Sequence, residues 1–128
     1  VGWVKQGFGK LLKSALESTG MRYNIESKGY ICFGSIFGNL TLQWGYQDIV
    51  SGWSSDSKGA YVDIPYNVAM ESTYVYPICV HGSTSASDFT QVVPERDFVS
   101  KGVIRVRRQQ LVGSNLVGTF YWLVLGRI

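Results

Sequence analysis

The segment from Gly118 to Gly126 reads GTFYWLVLG and is apolar on both faces of a predicted strand. Because side chains alternate along a strand, one face carries Thr119, Tyr121, Leu123 and Leu125, and the other carries Phe120, Trp122 and Val124. A strand in a two-layer domain normally turns one polar face to water, so this strand needs a cover on each side. In a chain of 128 residues the simplest second cover is a neighbouring subunit. The segment therefore predicts a homo-oligomer.

A second stretch, GNLTLQWGYQDIV from Gly38 to Val50, also alternates with a period of two residues. Its faces carry Leu42, Trp44 and Tyr46 on one side, and Thr41, Gln43 and Gln47 on the other. This period is typical of a half-buried strand. Gly45 leaves room on the face opposite Trp44, either for a bulge or for the close approach of another backbone.

Short apolar or alternating runs continue through the rest of the chain from Lys28 onward. They read GYICFG, LTLQWGYQ, AYVDIP, TYVYPICV, FTQVV, VIRVRR and GTFYWLVLG. Glycine, serine, asparagine or proline separates most of them, and one separator, HGSTSASD, is predicted to be an exposed loop. Regular short strands with such punctuation predict an all-β fold, either a sandwich or a barrel.

The first twenty residues, VGWVKQGFGKLLKSALESTG, have a different pattern. Their apolar positions have heptad spacing and are Val1, Val4, Phe8, Leu11 and Ala15. Gly20 is placed to end the helix, whereas Gly7 and Gly9 each weaken it by about 1 kcal/mol. Two interpretations stay open: an amphipathic helix lying on its own domain, or the last turns of a coiled coil joining identical chains. We divide the chain into residues 1–27, the helix and linker, and 28–128, the β-domain.

Composition excludes several classes of protein. A hydrophobic fraction of 45% with 16% charged residues excludes disorder. The sequence has no run of about 18 apolar residues, so no membrane span is predicted, and no signal peptide is recognisable. Because the chain opens on Val1, we expect a fragment or a processed end of a longer protein. Cys32 and Cys79 lie in apparent strands, where free thiols are expected over a disulfide.

No catalytic or metal site is predicted. His81 is the only histidine, no Cys-x-x-Cys or Gly-x-Ser-x-Gly occurs, and the acidic residues are scattered. We therefore expect neither an enzyme nor a cofactor. The net charge of +3 would aid contact with an anionic surface but does not itself indicate nucleic acid.

Three stretches could bind a glycan, which needs planar hydrogen-bonding groups beside an aromatic ring on rigid loops. The candidate residues are Trp53 and Asp56 in SGWSSDSK, His81 and Asp88 in VHGSTSASD, and Arg107, Arg108, Gln109 and Gln110 in RVRRQQ. The alternative for Trp53 is that it packs against a loop or a neighbour. The alternative for His81 and Asp88 is an ordinary polar turn.

The arginine run has a predicted orientation. Arg105 and Arg107 share one face with Val103. Ile104 and Val106 point to the core, and Arg108, Gln109 and Gln110 enter a loop. The arginines could bind phosphate or carboxylate on a bacterial polysaccharide. The alternative is a solvated strand face or salt bridges between subunits. Nucleic-acid binding is disfavoured because stacking aromatic residues are not interleaved with the arginines.

Four phrases of the sequence together resemble the C-terminal domain of bacteriophage tail fibres. They are KGYICFG, LTLQWG, AYVDIPYNVAMESTYVYPICV and the terminal YWLVLGRI. They correspond to the family's Asn-Gly-Tyr-like opening, its Ile-Ile-Gln-Trp-Gly strand, its proline-containing phrase and its closing Tyr-Trp-Ile-Ala-Ile-Gly. The resemblance covers about Lys28 to Ile128.

The resemblance implies a trimeric antiparallel β-sandwich similar to the H-type lectins, preceded by a short helix that bundles as a trimer. Trp44 would then fill the sandwich core. The loops at Trp53–Asp56 and Arg108–Gln110 would correspond to the sugar-site loops of those lectins. The implied function is a virion tail-fibre tip that is made in the host cytoplasm and binds lipopolysaccharide or another glycan outside the cell.

The resemblance also leaves an alternative function and a further partner. A structural end-cap module could trimerise the fibre and carry a separate adhesin. A tail-fibre assembly chaperone would be an additional partner, whereas neither nucleic acid nor membrane insertion is expected.

Overall fold

A computed structural model of the chain describes residues 2–71, 75–95 and 102–128, with side chains from Lys5 onward. Within these residues, one α-helix, α1 (Gly2–Ser18), precedes nine strands. The strands are β1 (Arg22–Asn24), β2 (Gly29–Cys32), β3 (Leu40–Asp48), β4 (Ser54–Asp56), β5 (Gly59–Pro65), β6 (Tyr76–Gly82), β7 (Phe89–Glu95), β8 (Val103–Val112) and β9 (Thr119–Arg127). A 3₁₀ helix, Ser35–Phe37, lies between β2 and β3.

The strands form two antiparallel sheets, which confirms the predicted all-β fold. The five-stranded sheet has the order β1-β2-β3-β9-β6, and the four-stranded sheet has the order β4-β5-β8-β7. The short strands β1 and β4 were not predicted, and β1 falls within residues 1–27, which the sequence assigned to the helix and linker. Of the three prolines within strands, Pro77 in β6 and Pro94 in β7 lie on edge strands, where a missing N–H is tolerated, and Pro65 is the last residue of β5.

The core lies between the two sheets. From β9 it receives Phe120, Trp122 and Val124, and from the four-stranded sheet it receives Val62, Ile64, Val92, Ile104 and Val106. Burying one such side chain contributes about 1.5–3 kcal/mol. The predicted inward orientation of Ile104 and Val106 is confirmed, since both are fully buried.

The orientation predicted for Trp44 is wrong. Thr41 and Gln43 of β3 point into the sandwich and are fully buried, whereas Trp44 lies on the outer face and donates from Nε1 to the Glu26 carbonyl oxygen at 2.8 Å. Gln43 can be buried because its amide is satisfied by the Val68 backbone. Its Nε2 donates to the Val68 oxygen at 2.6 Å, and its Oε1 accepts from the Val68 N–H at 2.8 Å.

Gly45 provides the predicted space opposite Trp44, but a side chain occupies it. Gly45 pairs with Trp122 across the β3–β9 ladder, whose register runs without interruption from Leu40↔Arg127 to Asp48↔Thr119. The Trp122 indole lies against the Gly45 backbone. The space therefore accepts an indole ring, and neither a bulge nor another backbone is involved.

Helix α1 ends as predicted, and the described side chains of its predicted heptad face solvent. Gly20, with φ of 90°, follows its last turn. Phe8 and Leu11 are 66% and 68% exposed, so the helix does not bury them on its own domain. Val1 of the predicted heptad lies outside the described residues, as does the side chain of Val4. The Thr19 carbonyl oxygen accepts from the Ser35 N–H at 2.8 Å, which attaches the helix end beside the 3₁₀ helix.

The sandwich has two distinct ends. We call the end beside the helix, where Cys32 pairs with Thr41, the proximal end. At the opposite, distal end Asp48 pairs with Thr119, which pairs with Gly82. The connections 49–53, 83–88 and 113–118 all lie at the distal end.

Candidate functional site

The outer face of the five-stranded sheet is apolar and exposed. Three rows of side chains cross β3, β9 and β6: Tyr46, Tyr121 and Val80; Trp44, Leu123 and Ile78; and Leu42, Leu125 and Tyr76. We call these nine residues the apolar face. Val80 and Ile78 are each 60% exposed and Tyr121 is 53% exposed. The prediction that β9 is apolar on both faces, with only one covered by its own domain, is confirmed.

The apolar surface continues toward the helix. A depression of about 230 Å³ at the proximal end is lined by Phe37, Leu40, Tyr76 and Leu125, among others. Phe37 is 59% exposed, and the neighbouring Ile36 is 65% exposed. The apolar face and the 3₁₀ helix beside the end of α1 therefore form one continuous apolar surface.

The outer face of the four-stranded sheet carries a network of ion pairs. Both terminal nitrogens of Arg107 contact the Asp56 carboxylate at 2.9 Å, and its Nε donates to Glu95 at 2.6 Å. Lys58 adds a contact of 3.5 Å to Glu95. Arg105 binds Asp63 at 2.8 and 3.0 Å.

These contacts stabilise the charged forms of the partners. Hydrogen bonds from Arg107 and the Lys58 N–H lower the pKa of Asp56, and Asp56 and Glu95 raise the pKa of Arg107. Two of the predicted binding residues, Asp56 and Arg107, are thus brought together, but as partners of each other. The guanidinium carbon of Arg105 lies 4.1 Å from the centre of the Tyr61 ring, which covers that aromatic face.

Trp53 and Arg108 are also brought together. Trp53 packs edge-on against Phe120 at 5.6 Å and donates from Nε1 to the Asp48 carbonyl oxygen at 2.8 Å. The Arg108 guanidinium carbon lies 4.6 Å from the centre of the Trp53 ring, and its Nη1 donates to the Ile49 carbonyl oxygen. Trp53 is half-buried, as in the alternative interpretation of its position. These contacts hold the connection 49–53, which links β3 of one sheet to β4 of the other.

The prediction that Arg108, Gln109 and Gln110 enter a loop is wrong. All three belong to β8, which continues to Val112 because it pairs with β7 as far as Phe89. The alternation of the strand therefore directs Arg108 and Gln110 inward, to Trp53 and Thr90, whereas Gln109 is exposed on the outer face. The stretch SGWSSDSK likewise contains β4, so it is not all loop.

His81 joins the two sheets. The Thr90 N–H donates to His81 Nδ1 at 3.3 Å, which places the imidazole proton on Nε2. His81 Nε2 then donates to the Val117 carbonyl oxygen at 2.8 Å. Both ring nitrogens therefore have backbone partners.

Asp88 and Gln110 hold the connection from β8 to β9. The Asn115 N–H and the Ser85 hydroxyl donate to the Asp88 carboxylate at 3.1 and 3.0 Å, and these bonds lower the pKa of Asp88. Gln110 accepts from the Thr90 hydroxyl at 2.6 Å and donates to the Asn115 carbonyl oxygen at 2.8 Å. The loop predicted at HGSTSASD is confirmed only for residues 83–88, because His81 and Gly82 belong to β6, and Asp88 at the end of the loop is buried, not exposed.

Metal binding and membrane spanning place separate requirements on the described residues. Within residues 2–71, 75–95 and 102–128, no group of three or more histidine, cysteine or acidic side chains could hold a metal ion. In the same part of the chain, no helix combines the length and hydrophobicity needed to span a bilayer. Cys32 and Cys79 are both free thiols, and burial raises the pKa of Cys79 to about 12.

The fold is similar to that of solved tail fibres. An N-truncated R2-type pyocin tail fibre matches with a TM-score of 0.57 and 13% identity, over 84% of this chain and 37% of that chain. The C-terminal part of the R2 pyocin fibre of P. aeruginosa matches with a TM-score of 0.56 and 13% identity, over 84% of this chain and 26% of that chain. An N-truncated R1-type pyocin tail fibre matches with a TM-score of 0.55 and 15% identity, over 89% of this chain and 94% of that chain.

This chain shares the fold of pyocin tail-fibre domains. The shared fold supports the resemblance to phage tail fibres, whereas the likeness to H-type lectins stays a prediction. The chain spans 37% and 26% of the two R2-type chains, so it corresponds to one part of those fibres. No protein-family model and no curated protein matches the sequence.

Proposed function

We propose that this chain is the C-terminal domain of a phage or phage-derived tail fibre, which attaches the particle to a glycan on the bacterial surface. The exposed apolar face carries the proposal, because a face of this kind needs a permanent cover. A likeness in fold to pyocin tail fibres supports it. The chain would act on the virion or particle tail, outside the bacterial cell.

The proposed cover of the apolar face is two further copies of the same chain. Monomeric proteins rarely expose a contiguous apolar patch larger than a few hundred Å². Leu123 lies at the centre of this patch, and Ile78 lies beside it in the middle row, on the edge strand β6. The heptad spacing of Phe8 and Leu11, whose side chains are also exposed, favours an assembly around one axis that continues into α1. A homotrimer would satisfy both surfaces at once.

The distal end is the proposed contact with the cell. The helix, through which the fibre would continue, is attached at Ser35 on the proximal end. The connections 49–53, 83–88 and 113–118 then point away from the fibre shaft. Weak binding at each copy would be multiplied by three copies in a fibre and by several fibres on a particle.

A structural end-cap module that carries a separate adhesin is the second candidate function. It is favoured by the internal contacts of the predicted binding residues: Trp53, His81, Asp88, Arg108 and Gln110 all bind other parts of the chain. An assembly chaperone is compatible with either function. Nucleic-acid binding is disfavoured, because Arg105 and Arg107 are paired with carboxylates.

The deciding experiment measures binding of the fluorescently labelled chain to a panel of bacterial strains that differ in surface polysaccharide. We expect the assembled chain to bind some strains and to block adsorption of the parent particle to them. A chain of trimeric mass that binds none of the strains to which the particle adsorbs would instead favour the end-cap function.

A further inference from the structure

Two glutamines are directly opposed on the outer face of the four-stranded sheet. Gln91 of β7 pairs with Gln109 of β8, and both are exposed. Opposed side chains on an antiparallel pair have Cβ atoms about 5 Å apart. Among the described residues, neither side-chain amide has a hydrogen-bond partner. Each amide can donate two hydrogen bonds and accept others, so the pair presents several unused groups in one place.

Apolar side chains and a depression adjoin this pair. Phe89 and Val93, two residues to either side of Gln91, are 44% and 46% exposed, and Leu111 beside Gln109 is 59% exposed. A depression of about 270 Å³ between β6 and β7 has Phe89 and Gln91 in its lining. A pyranose ring has apolar C–H faces and hydroxyl groups around its edge. The site offers the Phe89 ring to the apolar C–H faces and the glutamine amides to the hydroxyl groups.

The charges near the glutamines cancel. Arg107, two residues before Gln109, is bound by Asp56 and Glu95, and Lys58 also contacts Glu95. The neighbouring guanidinium therefore offers no uncompensated positive charge to a phosphate or carboxylate. The site is suited to neutral hydroxyls, which differs from the anionic polysaccharide suggested by the arginine run in the sequence.

The strands that carry the two glutamines are held rigidly. The adjacent pair, Thr90 and Gln110, is joined across the strands by a hydrogen bond of 2.6 Å on the inner face. On the outer face, Arg107 of β8 binds Glu95 of β7 at 2.6 Å. A site on braced strands loses little conformational freedom when a ligand binds.

We infer that Gln91 and Gln109, with Phe89, form a binding site for a neutral oligosaccharide. The inference rests on the proposed function. It adds the ligand class and a surface next to the distal connections 83–88 and 113–118, which directly precede β7 and follow β8. Both glutamines lie on the outer face of the four-stranded sheet, so their amides stay accessible when copies pack through the apolar face. The depression beside them lies at the edge between the sheets and also includes Val80 of the apolar face. Each copy would carry one complete site.

The test compares variants of the whole chain on an array of neutral and of phosphate- or uronate-containing bacterial oligosaccharides, and on the strain panel. The double variant Gln91→Ala/Gln109→Ala removes both amides, and Gln109→Glu keeps the size of the side chain but removes its donors. Gln6→Ala is the matched control, because Gln6 is exposed on α1 away from the apolar heptad positions. Thermal unfolding and native mass verify that each variant folds and assembles.

We expect the native chain to bind neutral glycans, with an affinity that the double variant lowers about 10-fold or more and Gln6→Ala leaves unchanged. Binding should persist from about 0.1 M to 1 M NaCl, where the Debye length falls from about 10 to 3 Å. Equal binding by the double variant would overturn the site and leave the proposed function standing. Selection of anionic glycans, with strong salt dependence, would overturn the ligand class. A native chain that binds no strain and no glycan would overturn both proposals.

Discussion

The indole of Trp122 fills the space that a side chain at position 45 would need. A Cβ added to Gly45 would lie 2.5 Å from Cζ2 of Trp122 and 2.7 Å from its Nε1. Trp122 is 4% exposed and belongs to the core cluster, so it cannot move without disturbing both sheets. The Trp-Gly step of β3 is thus explained by the core side chain opposite Gly45, on the face away from Trp44.

We expect Gly45→Ala to lower the free energy of unfolding by about 1–3 kcal/mol, the usual cost of overpacking a core. Urea unfolding followed by Trp fluorescence measures the change. Gly102→Ala is the control, because a Cβ at Gly102 would meet no atom within 4 Å. Equal stability of Gly45→Ala and the native chain would mean that Trp122 does not occupy this space.

The apolar face makes a prediction about assembly. Ile78 is 60% exposed in the single chain, so Ile78→Lys should leave the fold of each chain intact. In an assembly that buries the face, the new charge would be desolvated, and the complex should dissociate. Native mass by light scattering and far-UV circular dichroism separate these two effects.

The matched control for this charge is Val50→Lys, since Val50 is 53% exposed at the distal end. We expect the native chain and Val50→Lys to have the same trimeric mass, and Ile78→Lys to be monomeric and folded. A native chain that is monomeric at micromolar concentration would contradict the proposed assembly.

The sequence predicted the strands more reliably than the faces they present. Period two in LTLQWGY identified β3, but the resemblance to tail fibres placed Trp44 in the core. Nothing local indicates that Gln43 is buried instead through its bonds to the Val68 backbone, 25 residues away. Strand β8 was predicted to end at Arg108 for a similar reason. Arg108, Gln109 and Gln110 are polar, and their pairing with β7 is a non-local fact.

The candidate site could be predicted only in part. Charge and aromaticity drew attention to Trp53, Asp56, Arg107 and Arg108, yet these side chains bind one another and the backbone. Gln91 was missed, because a single glutamine in FTQVV carries no signal until the register places it opposite Gln109. A search for unpaired polar residues at alternate positions of two adjacent strands would have found it.

Trp53 distinguishes a structural role from a binding role. Because it packs on Phe120 and supports Arg108, we expect Trp53→Ala to lower the free energy of unfolding by about 3 kcal/mol. Chemical unfolding measures this, and the same preparation is tested for cell binding. Trp53→Phe keeps much of the packing and should recover part of the stability. Lost cell binding with unchanged stability would restore the interpretation of Trp53 as a ligand-binding residue.

Asp88 gives the domain a defined response to acid. Hydrogen bonds from Asn115 and Ser85 lower its pKa in the folded chain, and ion pairs and hydrogen bonds lower the pKa of Asp56 and Asp63. A group with a lowered folded pKa stabilises the fold above its unfolded pKa, which is about 3.9 for aspartate. That stability is lost as the pH falls through the folded pKa. We expect a melting temperature that changes little from pH 7 to about pH 5 and falls below about pH 4.

The variant Asp88→Asn tests whether Asp88 contributes to this response. Asparagine is neutral at every pH, so the variant should melt lower than the native chain at pH 7, and the difference should shrink as the native Asp88 is protonated. Melting curves between pH 7 and pH 2 measure the two profiles. Ser87→Ala is a suitable control, because Ser87 is exposed in the same connection and, among the described residues, its hydroxyl hydrogen-bonds Ser85 and not Asp88. Profiles of Asp88→Asn and the native chain that stay parallel down to pH 2 would show that Asp88 does not contribute through its charge.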